Sequence, residues 1–147
     1  MQAKLERQQA LNDSRRALML DAARSVFQRL GIEGASIREI AKAAGYTPGA
    51  IYSYFENKEA IYGALLAESL ERLNSVVDAA DAPDGSAADV LKAKASAWFG
   101  FYAANPRDLD LGFYLVQGMQ PRGLNADLNV QLNDRLHDAL RPCEAAL

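Results

Sequence analysis

Apolar residues recur every three or four positions through nearly all of this chain, which is the period of helices with one buried face. Proline and glycine are sparse before residue 80, and β-branched residues rarely cluster. Over Ser14–Leu30 the spacing sets Leu18, Ala22, Val26 and Leu30 along one ridge, with Ala23 and Phe27 beside it. Arg15, Arg16, Arg24 and Arg29 fall on the other face, and Gly31 is placed to end the helix as a C-cap. Residues 3–11 either extend this helix or lead into it, because Asn12, Asp13 and Ser14 all fit as caps.

The segment Ser36–Lys58 reads as two short helices joined by a tight turn. Ser36 with Glu39 three residues on has the form of a capping box, and Ile37, Ile40, Ala41 and Ala44 follow at helical spacing. Gly45 supplies the permissive backbone position at which the chain turns. Thr47 as N-cap and Pro48 at the first helical position then start a second helix that reaches about Tyr54. With so few apolar residues, this helix is a poor core element. It suits insertion, N-terminal end foremost, into a groove.

Asn57 caps a long helix from Lys58 to about Ala79, with Ile61, Leu65, Leu66, Leu70, Leu73, Val76 and Val77 on more than one face. The run Asp81–Ser86 is a linker. Further helices are predicted over Ala87–Ala104, Pro106–Gln120 and Leu124–Ala146, separated by Asn105-Pro106 and by Pro121-Arg122-Gly123. The pattern gives an all-α chain with two parts, residues 1–57 and 58–147.

Helix, glycine turn and helix at this spacing form a helix-turn-helix signature. The wider stretch from Arg16 to about Leu66 resembles the TetR family of transcriptional regulators. The resemblance is carried by Ala22-Ala23, Phe27, Gly31, Ser36-Ile37, Glu39-Ile40-Ala41, Ala44-Gly45, Gly49, Ile51-Tyr52, Tyr54-Phe55, Lys58-Glu59 and Ile61. It implies a DNA-binding domain of three helices and a helical C-terminal domain for effector binding and dimerisation. The function implied is a repressor that a small apolar effector releases from operator DNA. Members of this kind continue with two more helices that build the dimer interface, whereas this sequence ends at Leu147. A shortened regulator is therefore one expectation. A truncated helical protein that pairs with a full-length regulator without itself binding DNA is the alternative.

Binding a duplex takes phosphate contacts for position and base contacts for sequence. Ser36 and Thr47 sit at helix N-termini, where free N–H groups and the dipole favour a phosphate. Tyr52 and Tyr54 can donate phenolic O–H groups, and Lys58 can add charge. Each of these five matches a phosphate-contacting position of the family. The candidates for base readout are Arg38, Tyr46, Thr47, Pro48, Gly49, Ala50 and Ser53, with Ile37 beside them. Arg38 has the chemistry for a bidentate bond to guanine.

Charge changes the picture only through its distribution. The net charge is −3, but residues 1–60 carry 9 basic and 7 acidic side chains, and residues 61–147 carry 7 and 12. The half with the helix-turn-helix is the one fit to face phosphates. In the other half, Trp98, Phe101, Tyr102, Phe113 and Tyr114, with His137, are the candidates for lining an effector pocket. The single cysteine, Cys143, excludes an internal disulfide, and Asp134, His137 and Asp138 are too few for a metal site. No nucleophile–base arrangement or phosphate-cradling loop points to an enzyme. No cofactor is expected, and no early apolar run of signal-peptide type occurs. The expectation is a cytoplasmic homodimer with operator DNA and a small molecule as partners, and no membrane.

Overall fold

The computed structural model describes residues 1–116 and, beyond them, 127, 130, 131, 134, 135, 137, 138 and 141, with the side chains of 113–116 left out. The predicted break at Pro121-Arg122-Gly123 and most of the last predicted helix lie outside these residues. The isolated described positions within that stretch are helical. No strand occurs among the described residues, and the chain is all-α as expected. Among residues 1–116 the helices are, in order, α1 Gln2–Gly34, α2 Ile37–Ala44, α3 Pro48–Tyr52, α4 Lys58–Ala79, α5 Ala87–Ala104 and α6 Pro106–Val116. They fall into two compact units, Met1–Ala64 and Leu65–Leu147.

In the first unit α1 is far longer than its buried part. Every residue from Met1 to Leu11 is exposed. Two of the three residues expected to cap it are spent otherwise: Gln8 Nε2 donates to Asn12 Oδ1 at 3.3 Å and Gln9 Nε2 to Asp13 Oδ1 at 2.9 Å. These are i,i+4 side-chain bonds that favour helix continuation. The buried line is Met19, Leu20, Ala23, Val26 and Phe27, so the predicted ridge is corrected: Leu18 and Leu30 are exposed. Gly31, at φ 68° and ψ 170°, breaks the first helix where its end was predicted, and a further helical turn runs on to Gly34. Phe27 meets the fully buried Tyr62 edge to face, with centroids 5.9 Å apart.

In the second unit α4 contributes Leu65, Leu66, Leu70, Leu73 and Val77 to the interior, whereas Val76 is exposed. A complete capping box starts α5: Ser86 Oγ accepts the Asp89 N–H, and Asp89 Oδ2 accepts the Ser86 N–H at 2.9 Å. Arg72 on α4 reaches Asp108 on α6, Nη2 to Oδ1 2.6 Å, with the Asp108 side chain only 4% exposed.

Candidate nucleic-acid interface

The turn between α2 and α3 is built as the sequence requires. Ser36 Oγ accepts the Glu39 N–H at 3.3 Å and so opens α2. Gly45, at φ 72° and ψ 28°, occupies the left-handed region that side chains disfavour, and ends it. Tyr46 N–H donates to Ala41 O at 2.9 Å across that turn. Thr47 Oγ1 then accepts the Ala50 N–H at 3.2 Å, with Pro48 in the first turn of α3. The helix stops at Tyr52 rather than near Tyr54, and Ser53 Oγ donates to Ala50 O at 2.7 Å at its end.

Within α3 only Ile51 is buried. Of the expected contact residues, Ser36, Arg38, Thr47, Pro48, Gly49, Tyr52 and Ser53 are exposed, while Ile37, Tyr46, Ala50, Tyr54 and Lys58 are half-buried. Tyr52 presents 57% of its surface to solvent. Tyr54 instead turns toward α1, its Oη 3.5 Å from Asn12 Oδ1, a long contact. Phe55, just beyond, is buried under the Arg16 guanidinium, 5.3 Å from ring centroid to Cζ.

Lys58 is placed differently from the phosphate clamp expected of it. Its Nζ donates to Ile32 O at 2.7 Å, Ala35 O at 3.0 Å and Glu33 O at 3.3 Å. An ammonium has three N–H donors, and these three carbonyls take them all. The residue caps the kinked end of α1 and ties it to the start of α4. One residue fit for phosphate contact went unnoticed in the sequence: Lys42 is exposed on α2, one turn after Arg38. The four-residue spacing that sets both on one helix face was the available signal.

Residues 19–65 match the sequence profile of the bacterial regulatory proteins of the TetR family. This stretch is a TetR-family DNA-binding domain. Among curated relatives, it is 38% identical over 63 residues to an HTH-type transcriptional repressor of Mycobacterium tuberculosis, a match covering 43% of this chain and 34% of that one. The chain thus spans about a third of the first curated relatives it matches. Among solved structures, it resembles a TetR-family regulatory protein from Rhodococcus RHA1, with TM-score 0.76 and 26% identity, over 87% of this chain and 65% of that one. It also resembles the regulator FadR from Bacillus subtilis in complex with stearoyl-CoA, with TM-score 0.62 and 27% identity, over 89% and 68%.

In the second unit the expected effector-site residues fare unevenly. Trp98 packs edge-on against Phe99 and Tyr102, with centroids 5.2 and 4.8 Å away, and Phe101 is buried beneath Arg72. Phe99 itself is 69% exposed. His137 is exposed, and the side chains of Phe113 and Tyr114 lie outside the described residues. A depression in this unit is lined, among the described residues, by Glu68, Glu71, Arg72 and Ser75. No described helix is long and apolar enough to cross a membrane.

Burial, reinforced by the negative charge of Asp108, pushes the Tyr102 phenol above its ordinary range. An acid with a raised folded-state pKa stabilises the fold while it stays neutral and ceases to do so once the unfolded chain ionises. Stability should therefore fall as pH rises above about 10, the ordinary tyrosine value. Urea titrations at pH 8 and pH 10.5 should show a smaller loss in Tyr102→Phe than in the parent. Equal losses would remove Tyr102 from the account.

Proposed function

We propose that this protein is a transcriptional regulator that holds operator DNA through α2 and α3 and is governed by a small apolar effector bound within residues 65–147, acting as a homodimer. The observation that carries the first part is the near-bare α3. Five residues long, it buries Ile51 and presents Thr47, Pro48, Gly49 and Tyr52 outward. A helix that gives so little to its own core is suited to a groove, and the glycine lets backbone approach the duplex closely. Arg38 and Lys42 add charge from α2.

The ligand-responsive part is supported by the likeness to a regulator structure that holds stearoyl-CoA. In a dimer, the two recognition helices must match successive major grooves about 34 Å apart. An effector releases DNA only if it binds better to a state in which that spacing is lost, since equal affinity shifts nothing.

The test is a mobility-shift assay on duplexes selected from a random pool. Arg38→Ala should weaken the selected site by about 1–3 kcal/mol and relax preference at one base pair. Failure to enrich any sequence would overturn the proposal. Uniform weakening across all sequences would move Arg38 from base reading to phosphate contact.

A further inference from the structure

Among the described residues of the second unit, two buried side-chain atoms make no hydrogen bond: Asn74 Oδ1 on α4 and Trp98 Nε1 on α5. One is an acceptor and the other an N–H donor. Native proteins rarely bury such atoms without supplying a partner, because the desolvation is then uncompensated. The Asn74 amide is not free to flip. Its Nδ2 donates to Arg135 O at 3.3 Å, and reversal would set oxygen against oxygen.

The two orphans lie near each other along the helices. Lys94 on α5 donates to Val77 O at 3.1 Å and Ala80 O at 2.9 Å on α4, and Phe101, farther along α5, lies beneath Arg72. Later residues of α5 thus meet earlier residues of α4, so the helices run antiparallel. Interpolating between those contacts sets Trp98 level with Asn74 to within about one turn. The cations around this level are already engaged: Arg72 by Asp108, Lys94 by the two carbonyls and Arg135 by Glu71. A carboxylate or phosphate would have to displace one of those partners. The rings of Phe99 and Tyr102 lie edge-on to the indole.

We propose that Asn74 and Trp98 form the polar end of the effector subsite, and that it takes a neutral group able both to donate and to accept, a hydroxyl or an amide, on an otherwise apolar molecule. The proposal rests on the reading of residues 65–147 as effector-sensing. An ester satisfies Trp98 alone and leaves Asn74 Oδ1 buried and unmet. A carboxylate adds charge that Arg72, Lys94 and Arg135 could balance only by leaving their present partners.

Trp98 is the only tryptophan, so one indole N–H resonance of the ¹⁵N-labelled full chain reports on this atom. The probes are octanamide, methyl octanoate and octanoate. Octanamide should move that resonance saturably and bind about tenfold tighter than methyl octanoate, the difference expected of one well-made buried hydrogen bond. Asn74→Leu should erase the preference for the amide over the ester, and Trp98→Phe, followed by calorimetry, should weaken both. Equal binding of amide and ester to the parent overturns the proposal. So does an indole resonance unmoved by the amide at millimolar concentration, including one held by water alone. An operator complex that survives saturating octanamide counts against the sensing role only, because the indole shift still supports the subsite.

Discussion

Ile51→Ala should undock the recognition helix and abolish most operator binding while α1 and α4 stay folded. A five-residue helix is too short to hold its conformation alone, so α3 exists by virtue of its tertiary contacts. Ile51 is its single buried residue, and Phe55, buried just beyond its end, is the only other apolar anchor close by. Truncating a buried isoleucine to alanine costs about 2–5 kcal/mol. If that cost falls on the docking of α3, the docked fraction drops and apparent affinity drops with it, by up to about three hundredfold at the middle of the range. Ile51→Val should cost only about 0.5–1.5 kcal/mol and keep most binding. Hydrogen exchange locates the effect. The Tyr54 and Phe55 amides, each 3.0 Å from Ile51 O, should lose protection before the amides of α1. Operator affinity of Ile51→Ala within a factor of about three of the parent would show that α3 is held by something else.

The sequence was legible where a local chemical signal coincides with a change of period. Asn57 and the Asp81–Ser86 run bracket α4, and its bounds came out as read, Lys58–Ala79. Asn57 Oδ1 accepts the Ala60 N–H at 2.8 Å, as a cap should. The Gly45 turn and the bounds of α5 followed for the same reason. The ridge of α1 did not, because leucines at four-residue spacing drew the eye while Met19 and Leu20 hold the core. Nor did its beginning. Asn12 and Asp13 are cap residues by type, but glutamines one turn earlier recruit them along the helix. At the site, exposure of Arg38 and of the start of α3 was foreseeable from the lack of apolar residues. The capture of Lys58 was not, since its acceptors sit 23 to 26 residues earlier in the chain. No local pattern encodes a contact of that range.

That capture leads to the second large effect. Lys58→Met should weaken operator binding through the shape of the platform, with the salt dependence left as it was. The ammonium is the common donor to three carbonyls at the kinked end of α1. These belong to the helix end, where unpaired carbonyls collect and a cation is favoured. Methionine keeps most of the stem and removes every donor. Leaving part-buried carbonyls unmet costs about 1–3 kcal/mol. The last turn of α1, from Ile32 to Gly34, leads through Ala35 directly into Ser36 and α2, so slack there spreads to the placement of Arg38 and of the turn behind it. Urea unfolding should show the destabilisation, and the operator should be bound about tenfold more weakly if 1.4 kcal/mol of it reaches the bound geometry. A phosphate clamp predicts a different signature. Each lost phosphate contact lowers the slope of log affinity against log salt by about 0.9. Lys58→Met with an unchanged slope and a lower unfolding midpoint makes Lys58 the residue that positions the helix-turn-helix. A slope reduced by nearly one unit per protomer, with stability intact, would mean that the lysine leaves its three carbonyls when DNA arrives and that the arrangement seen here belongs to the unbound protein alone.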